Sequence, residues 1–154
     1  MSEPLEPYWT EEDCADVEKA TEFGELSVVA CRIAARMPPP VGIVCGPITS
    51  GGLGSTEANL AHFWCAIEYL RCRRLVVFNQ LPFENALFEI KHSKRGDSGA
   101  QLLNEFYLPL FRTRLIHVMY FMPGWQGSVG ASWERERGRE LRIAILDLPD
   151  TWWR

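Results

Sequence analysis

A carboxylate just after a glycine-containing loop is the feature of this sequence best suited to chemistry. Glu134 follows Ser128 and Gly130, which come after an apolar run (residues 115–122) and the turn Pro123-Gly124-Trp125. At helical spacing, Glu134 shares a face with small residues, and such a face can lie closely on a sheet. The helix dipole favours a negative charge in the first turns by a few tenths to about 1 kcal/mol. The spacing therefore allows a sheet-facing, reactive Glu134.

A simpler interpretation of Glu134 remains open. It begins a run of Glu and Arg, residues 134–140, that would form an ordinary solvated helix face. Periodicity alone does not decide between the two interpretations. The position just past the loop, on the side with the small residues, favours the functional one.

Four apolar runs predict the strands that would position this helix. They are Val41 to Cys45, Leu75 to Asn79, Leu115 to Met122 and Leu141 to Leu146, and helical patterns separate them. Alternating strands and helices build parallel sheets, and ligands bind at the carboxyl ends of the strands in such sheets. We therefore predict a three-layer, flavodoxin-like (Rossmann-like) α/β fold, with a mainly parallel sheet of four or five strands.

A helical segment precedes the first strand. Residues 1–9 are acidic and Pro-rich, and we expect them to be poorly ordered. Thr10 is a candidate N-cap for a helical pattern that runs to about residue 36. Gly24 weakens this pattern, so two helices are an alternative. Met37-Pro38-Pro39-Pro40 ends it, which gives a helical segment over 1–40 and an α/β domain over 41–154.

The block from Pro123 to Glu134 resembles a known family. Pro-Gly-Trp followed by Ser128, Gly130, Ala131 and Glu134 is similar to the signature P-G-W-x-x-S-x-G-A-x-x-E. That signature belongs to a small bacterial and phage branch of the nucleoside 2-deoxyribosyltransferase-like superfamily. The resemblance implies cleavage, by hydrolysis or transfer, of the N-glycosidic bond of a nucleoside or nucleoside 5′-monophosphate, with Glu134 attacking the sugar. Relatives acting on monophosphates have a phosphate-binding Ser at the Ser128 position, and those acting on free nucleosides usually have Asp.

The resemblance extends to residues of the first two strand ends. Gly46-Pro47-Ile48 matches the opening of the branch's glycine-rich loop, and Asn59 matches the start of the helix that follows. Asn79 lies close to where the branch has a strand-end Asn. With Trp125 and Gly130, these residues are the expected substrate- or phosphate-binding set. Two alternatives stay open: residues 46–54 can be a plain turn, and Asn79 can simply close one.

His117 departs from the family's pattern. The resembled family has an Asp here that helps to protonate the leaving base. A histidine can act as a general acid because its unperturbed pKa is about 6.5. It can equally be a packed strand residue in a protein that has lost activity. The second case leads to the rival hypothesis, a non-catalytic nucleotide-binding or sensing module on the same fold.

Composition excludes several classes of partner. The chain has 154 residues, 47% of them hydrophobic, and a net charge of −4. Without a large basic patch, binding to a nucleic-acid polymer is disfavoured. No apolar run reaches the roughly 18 residues of a membrane span. The five cysteines lack C-x-x-C spacing and the three histidines are scattered. We therefore expect a cytoplasmic protein with thiols, no metal, no cofactor and no membrane partner.

The sequence also suggests a homo-oligomer, a dimer or larger. The resembled family usually completes its pocket with residues of a neighbouring subunit. Trp152 and Trp153 near the end of the sequence offer aromatic surface that is rarely left exposed.

Overall fold

Four parallel strands form the centre of the molecule. The computed structural model describes residues 6–48, 51–94, 96 and 98–151. Within them the strands are β1 (Val41–Cys45), β2 (Val76–Phe78), β3 (Val118–Phe121) and β4 (Ala144–Asp147). Their spatial order is β2-β1-β3-β4, and every neighbouring pair is parallel. The predicted flavodoxin-like α/β fold is confirmed, with four strands in the described part.

Helices fill every connection between the strands. Helices α1 (Glu11–Lys19) and α2 (Phe23–Arg36) precede β1, and α3 (Thr56–Arg71) joins β1 to β2. A 3-10 turn (Leu81–Phe83) then leads directly into α4 (Glu84–Ser93). Helix α5 (Ser98–Leu102), a π-helical turn (Leu103–Tyr107) and α6 (Leu108–Arg112) run on to β3. A second 3-10 turn (Trp125–Gly127) precedes α7 (Val129–Glu140), which leads to β4.

Side chains alternate across the sheet and so define three layers. Ile43 and Cys45 of β1 face one side, in the core shared with α2, α4, α6 and α7. Val44 faces the other side, where it packs with the apolar face of α3. This two-residue period is what a strand buried on both faces requires.

The first helices belong to the same core as the sheet. The break between α1 and α2 falls at residues 20–22, so the two-helix alternative is correct. Phe23 and Leu26 of α2 are completely buried against the sheet side of the core. Asp13 holds α1 to α2 through ion pairs with Arg32 and Arg36.

Residues 6–9, which precede α1, are held in place by contacts with the α/β domain. The Glu6 carboxylate accepts hydrogen bonds from Arg71 at 2.7 Å and Asn79 at 2.9 Å. The ring of Trp9 lies 5.0 Å from that of Phe83, measured between centroids. Residues 6–9 therefore do not follow the expectation of poor order, and residues 1–5 lie outside the described range.

Helix α7 lies unusually close to the sheet. A Cβ atom added at Gly138 would come within 2.6 Å of the Met119 sulfur on β3. Only glycine fits this contact without moving the helix or the methionine. The close approach brings the sheet-facing side chains of α7 down to the strand ends.

No helix in the described ranges is long and apolar enough to span a membrane. The terminal Trp152 and Trp153, which the sequence suggests as docking surface, lie outside those ranges.

Candidate functional site

The site lies where the strand order changes direction. The chain passes from β1 to β2 on one side and later places β3 on the other side of β1. Crevices outside the carboxyl ends of two such strands are the usual ligand sites of open α/β sheets. Here the crevice is a cavity of about 660 Å³, lined by Gly46 after β1 and by residues of α4, the π-helical turn and α7.

Glu134 lines this cavity from α7. Its side chain is almost fully buried, with 7% exposed, as its sheet-facing spacing predicts. The Cys45 thiol at the end of β1 donates a hydrogen bond to Glu134 Oε2 at 3.3 Å. Burial raises the pKa of Glu134 to about 8; the bond from Cys45 lowers it, and the negative charge of Glu84 raises it further. Glu134 is therefore mainly protonated at neutral pH.

A second carboxyl, Glu84, lines the same cavity from the start of α4. Burial raises its pKa to about 7, and the nearby positive charge of Lys91 acts in the opposite direction. Tyr107 of the π-helical turn also lines the cavity. Burial, followed by the charges of Glu84 and Glu134, raises the pKa of the Tyr107 hydroxyl well above its usual value. Tyr107 is therefore a neutral hydroxyl beside two titrating carboxyls.

Helix α4 presents one continuous stripe to the cavity. Residues at positions 84, 87, 88, 91 and 92 all line it, the spacing of a single helical face. Along this stripe the chemistry changes from a carboxyl at Glu84 to apolar side chains and then to Lys91 and His92. Phe88 is 60% exposed, and its ring lies 4.1 Å from that of His92. The α4 side of the cavity thus has a carboxyl at one end, an aromatic surface in the middle, and Lys91 with the His92 imidazole at the other end.

Four of the predicted binding residues line the cavity with Glu134. They are Gly46, Ile48, Ser128 and Gly130. Ser128 is the N-cap of α7, and its Oγ accepts a hydrogen bond from the Ala131 N–H at 3.1 Å. Since the Ser128 side chain is 4% exposed, this cap fixes the loop and the helix start together.

Asn59 supports the glycine-rich loop rather than the cavity. Its amide group donates to Ile48 O at 2.9 Å and Gly51 O at 3.2 Å, and its Oδ1 accepts from the Leu53 N–H at 2.8 Å. Gly51 has φ +69°, and a Cβ there would lie 2.5 Å from Gly127 O. Two loops are therefore packed backbone to backbone, which explains the glycine.

The remaining part of that loop agrees with a supporting role. Pro47 is buried, and a Cβ atom at Gly52 would come within 2.7 Å of it. Thr49 and Ser50, which the sequence places in the same loop, lie outside the described residues.

Two predicted residues lie elsewhere. Asn79 closes a turn, because its Oδ1 accepts from the Leu81 N–H at 3.0 Å while its amide group binds Glu6. Trp125 lines a separate, open depression of about 560 Å³ beside α7. There the Arg135 guanidinium lies 4.4 Å from the Trp125 ring centroid and pairs with Asp147 at 2.6 Å.

The structure places His117 at the wrong end of the sheet for the general-acid role. It precedes β3, is exposed, and its Nδ1 accepts a hydrogen bond from the Val41 N–H at 2.9 Å. Val41 begins β1, whereas Cys45, the partner of Glu134, ends it. Four residues of strand separate these levels by about 13 Å, since a strand rises about 3.3 Å per residue. His117 is therefore a strand-edge residue that satisfies a backbone donor.

Sequence reasoning missed Glu84, Cys45, Lys91 and His92 as residues of the site. One signal was available for Cys45, because it is the last residue of a strand whose carboxyl end borders the site. Glu84 carried no signal of its own, since a Glu at the start of a helix is commonly explained by the helix dipole.

No group of three or more His, Cys, Asp or Glu side chains in the described ranges could hold a metal ion. The cavity is lined by two carboxyls, a phenol and, along α4, an ammonium and an imidazole, and the buried Cys45 thiol donates to one of the carboxyls. Such a set suits proton transfer and attack by a carboxylate at an electrophilic carbon. The chain matches no protein-family model, no curated protein and no solved structure.

Proposed function

We propose that this protein cleaves the N-glycosidic bond of a nucleoside or nucleoside 5′-monophosphate, with Glu134 as the nucleophile. The observation that carries the proposal is the buried carboxyl of Glu134 in a cavity at the carboxyl ends of β1 and β3. The likeness of residues 123–134 to the nucleoside 2-deoxyribosyltransferase-like superfamily supports the same role for this residue.

Covalent catalysis by a carboxylate fits this chemistry. Attack of Glu134 on C1′ divides one difficult displacement into two easier ones, through an ester of the sugar and the enzyme. Water or a second base then resolves the ester, which gives hydrolysis or transfer. A buried carboxylate interacts more strongly with the positively charged transition state than a carboxylate in water does.

The direct test is incubation of the protein with a panel of nucleosides and their 5′-monophosphates, with released base measured by chromatography. The assay should cover pH 6 to 9, because Glu134 must lose its proton before it can attack and its pKa is about 8. Base release from at least one compound is expected. Complete inactivity across this panel and pH range would contradict the proposal.

The proposed substrate carries a 5′-phosphate, because Ser128 stands where nucleoside-specific relatives have Asp. We expect Ser128→Asp to keep the α7 cap, since Asp is as good an N-cap as Ser. The added charge should weaken monophosphate binding roughly tenfold or more relative to the free nucleoside, a difference of about 1.4 kcal/mol. Calorimetric titration with both ligands measures this ratio.

Ser132→Asp is the matched control for that experiment. It adds the same charge on α7, but Ser132 lines the outer depression and not the cavity. An equal loss of monophosphate affinity in both variants would show a general charge effect and refute the phosphate role of Ser128.

One observation favours the second candidate, a nucleotide-binding module without turnover. A protonated Glu134, hydrogen-bonded by a buried thiol, is a weak nucleophile at neutral pH. Tight ligand binding without base release, even at pH 9, would favour the sensor over the enzyme.

We also propose that the chain forms a homo-oligomer in the cytoplasm. Large apolar side chains are exposed on α2 and β4, with Val28 62% and Leu146 53% exposed. All five cysteines are free thiols, which suits a reducing compartment. A monomer by light scattering at micromolar concentration would contradict the oligomer.

A further inference from the structure

A mechanism of this kind needs a second group to handle protons. The departing base carries the electron pair of the broken C1′–N bond, and most bases leave slowly unless they are protonated. His117 cannot serve, because it lies at the opposite ends of the strands. The acid must come from a group that lines the cavity with Glu134.

We propose that Glu84 is the second catalytic carboxyl of this cavity, acting first as general acid to the leaving base and then as general base to water. This inference rests on the proposed function. Its ground is geometric: Glu84 begins α4, Glu134 lies in α7, and both carboxyls line one cavity with the Tyr107 side chain. They are the only two carboxylic acids among the described residues that line it.

The two steps balance with these residues alone. In the first step, a Glu134 oxygen bonds to C1′ while the C1′–N bond breaks, and the base takes the electron pair together with the proton of Glu84. In the second step, the Glu84 carboxylate takes a proton from water, and the water oxygen bonds to C1′. The ester bond between C1′ and Glu134 breaks, and its electron pair returns to the carboxylate. Glu84 regains its proton, so one water is consumed per turnover.

The electrostatics support a shared titration. The titratable groups that line the cavity with Glu84 are Lys91 and His92 from α4, Tyr107 from the π-helical turn and Glu134 from α7, with Cys45 of β1 bonded to Glu134. With pKa values of about 7 for Glu84 and about 8 for Glu134, the two carboxyls titrate as a pair. The reactive form, with Glu84 protonated and Glu134 ionised, is one of the two singly protonated forms of this pair.

The test uses a substrate whose base needs no proton. An N7-methylated guanine nucleoside, or its 5′-monophosphate, already carries a positive charge on the base. We expect Glu84→Gln to slow release of an ordinary base by about 10²- to 10⁴-fold. Release of the cationic base should fall less than tenfold in the first turnover, because that step needs no acid. Single-turnover measurements separate this step from ester hydrolysis.

The pH profile gives a second readout. In the wild type, the reactive pair holds one proton, so the rate should rise as the pair loses its first proton and fall as it loses the second, which gives a bell-shaped curve. Glu84→Gln should remove the fall on the alkaline side. Glu89→Gln, an exposed Glu on the same helix and outside the cavity, is the matched control and should leave both rates and profile unchanged.

The outcomes separate the two proposals. Equal losses on both substrates in a folded Glu84→Gln protein would mean a structural role and overturn the inference, while the proposed function stands. If Glu134→Gln still releases the cationic base and Glu84→Gln does not, then Glu84 is the nucleophile and Glu134 the acid. That result would also overturn the inference. If Glu84→Gln does not fold, Glu84→Asp takes its place. This variant keeps a carboxylic acid, so the fall of the rate on the alkaline side must remain, and its disappearance would overturn the inference. A wild type that cleaves neither substrate refutes both proposals.

Discussion

Glu134→Gln should abolish base release while leaving the protein folded. The amide has nearly the shape of the carboxyl and can accept the hydrogen bond that Cys45 donates at 3.3 Å. It cannot form the sugar ester, so we expect a loss of about 10⁴-fold or more, typical of a lost nucleophile. Chromatography of released base measures the loss, and Glu134→Ala excludes activity regained by deamidation of the glutamine.

The same substitution should raise stability at neutral and alkaline pH. Burial raises the pKa of Glu134 from 4.5 to about 8, so the folded state holds a proton that the unfolded state releases. A raised folded-state pKa contributes stability below the unfolded value, and that contribution is lost as pH rises towards 8. Glutamine does not titrate and avoids this loss.

Glu136→Gln is the control for both readouts. It changes an exposed carboxyl on the same helix, with 72% of the side chain exposed. It should alter neither the rate nor the pH dependence of unfolding. A Glu134→Ala protein that still releases base at the wild-type rate would remove Glu134 from the mechanism.

Asp13→Asn should be the most destabilising conservative change outside the cavity. The Asp13 side chain is completely buried; it pairs with Arg32 and Arg36 and accepts from the Thr10 N–H at 2.8 Å. Removing one partner of a buried pair costs about 3–5 kcal/mol when both charges are buried. Both arginines are about one third exposed, with 33% and 34% of the side chain accessible, so water offsets part of this cost. We expect about 2–3 kcal/mol by urea denaturation.

The pH dependence provides a second measurement on Asp13. Burial alone would raise its pKa, but hydrogen bonds from Arg36, the Thr10 backbone and Arg32 hold the pKa well below its usual range. A depressed folded-state pKa gives stability that is present above about pH 4 and lost as pH falls further. The Asn variant should lose this acid-side dependence.

Asp16→Asn is the matched control for Asp13. Asp16 also pairs with Arg32, at 2.8 Å, but 37% of its side chain is exposed. Exposed pairs contribute about 0–1 kcal/mol, so the control should lose no more than that. Equal destabilisation by the two variants would show that burial of Asp13 is not what matters.

The sheet was predictable from sequence because its signals are local. Each strand is a short apolar run bounded by turn residues, and each following helix has a Ser cap or an apolar stripe, as at Ser55 and Ser128. The stretch after β2 was less predictable. Lys91 and His92 begin a polar stretch of the sequence, residues 91–99, yet they lie in the last turn of α4. Their polarity reflects the cavity that they line, and apolar periodicity cannot reveal such a face.

The sequence predicted the site residue whose position depends on one helix, but it did not predict the residues that other helices and strands bring to the site. The sheet-facing position of Glu134 follows from its spacing relative to Ala131 and Gly138, all three of which are buried. Its partner Cys45 lies 89 residues earlier in the chain, so only the folded sheet brings them together. The position of His117 at the start of its predicted strand already argued against the acid role. A residue at the beginning of a parallel strand lies far from the carboxyl ends, where ligands bind.

The ring of Phe83 couples two distant parts of the molecule. The ring contacts Trp9 of the N-terminal segment, and its centroid lies 5.2 Å from that of Phe106. In the sequence, Phe106 directly precedes Tyr107, and Phe83 directly precedes Glu84. Docking of the N-terminal segment and packing of both cavity walls therefore involve the same ring. If docking of the N-terminal segment raises the affinity of the cavity for a ligand, thermodynamic reciprocity requires that the ligand raise the docking equilibrium constant of the segment by the same factor.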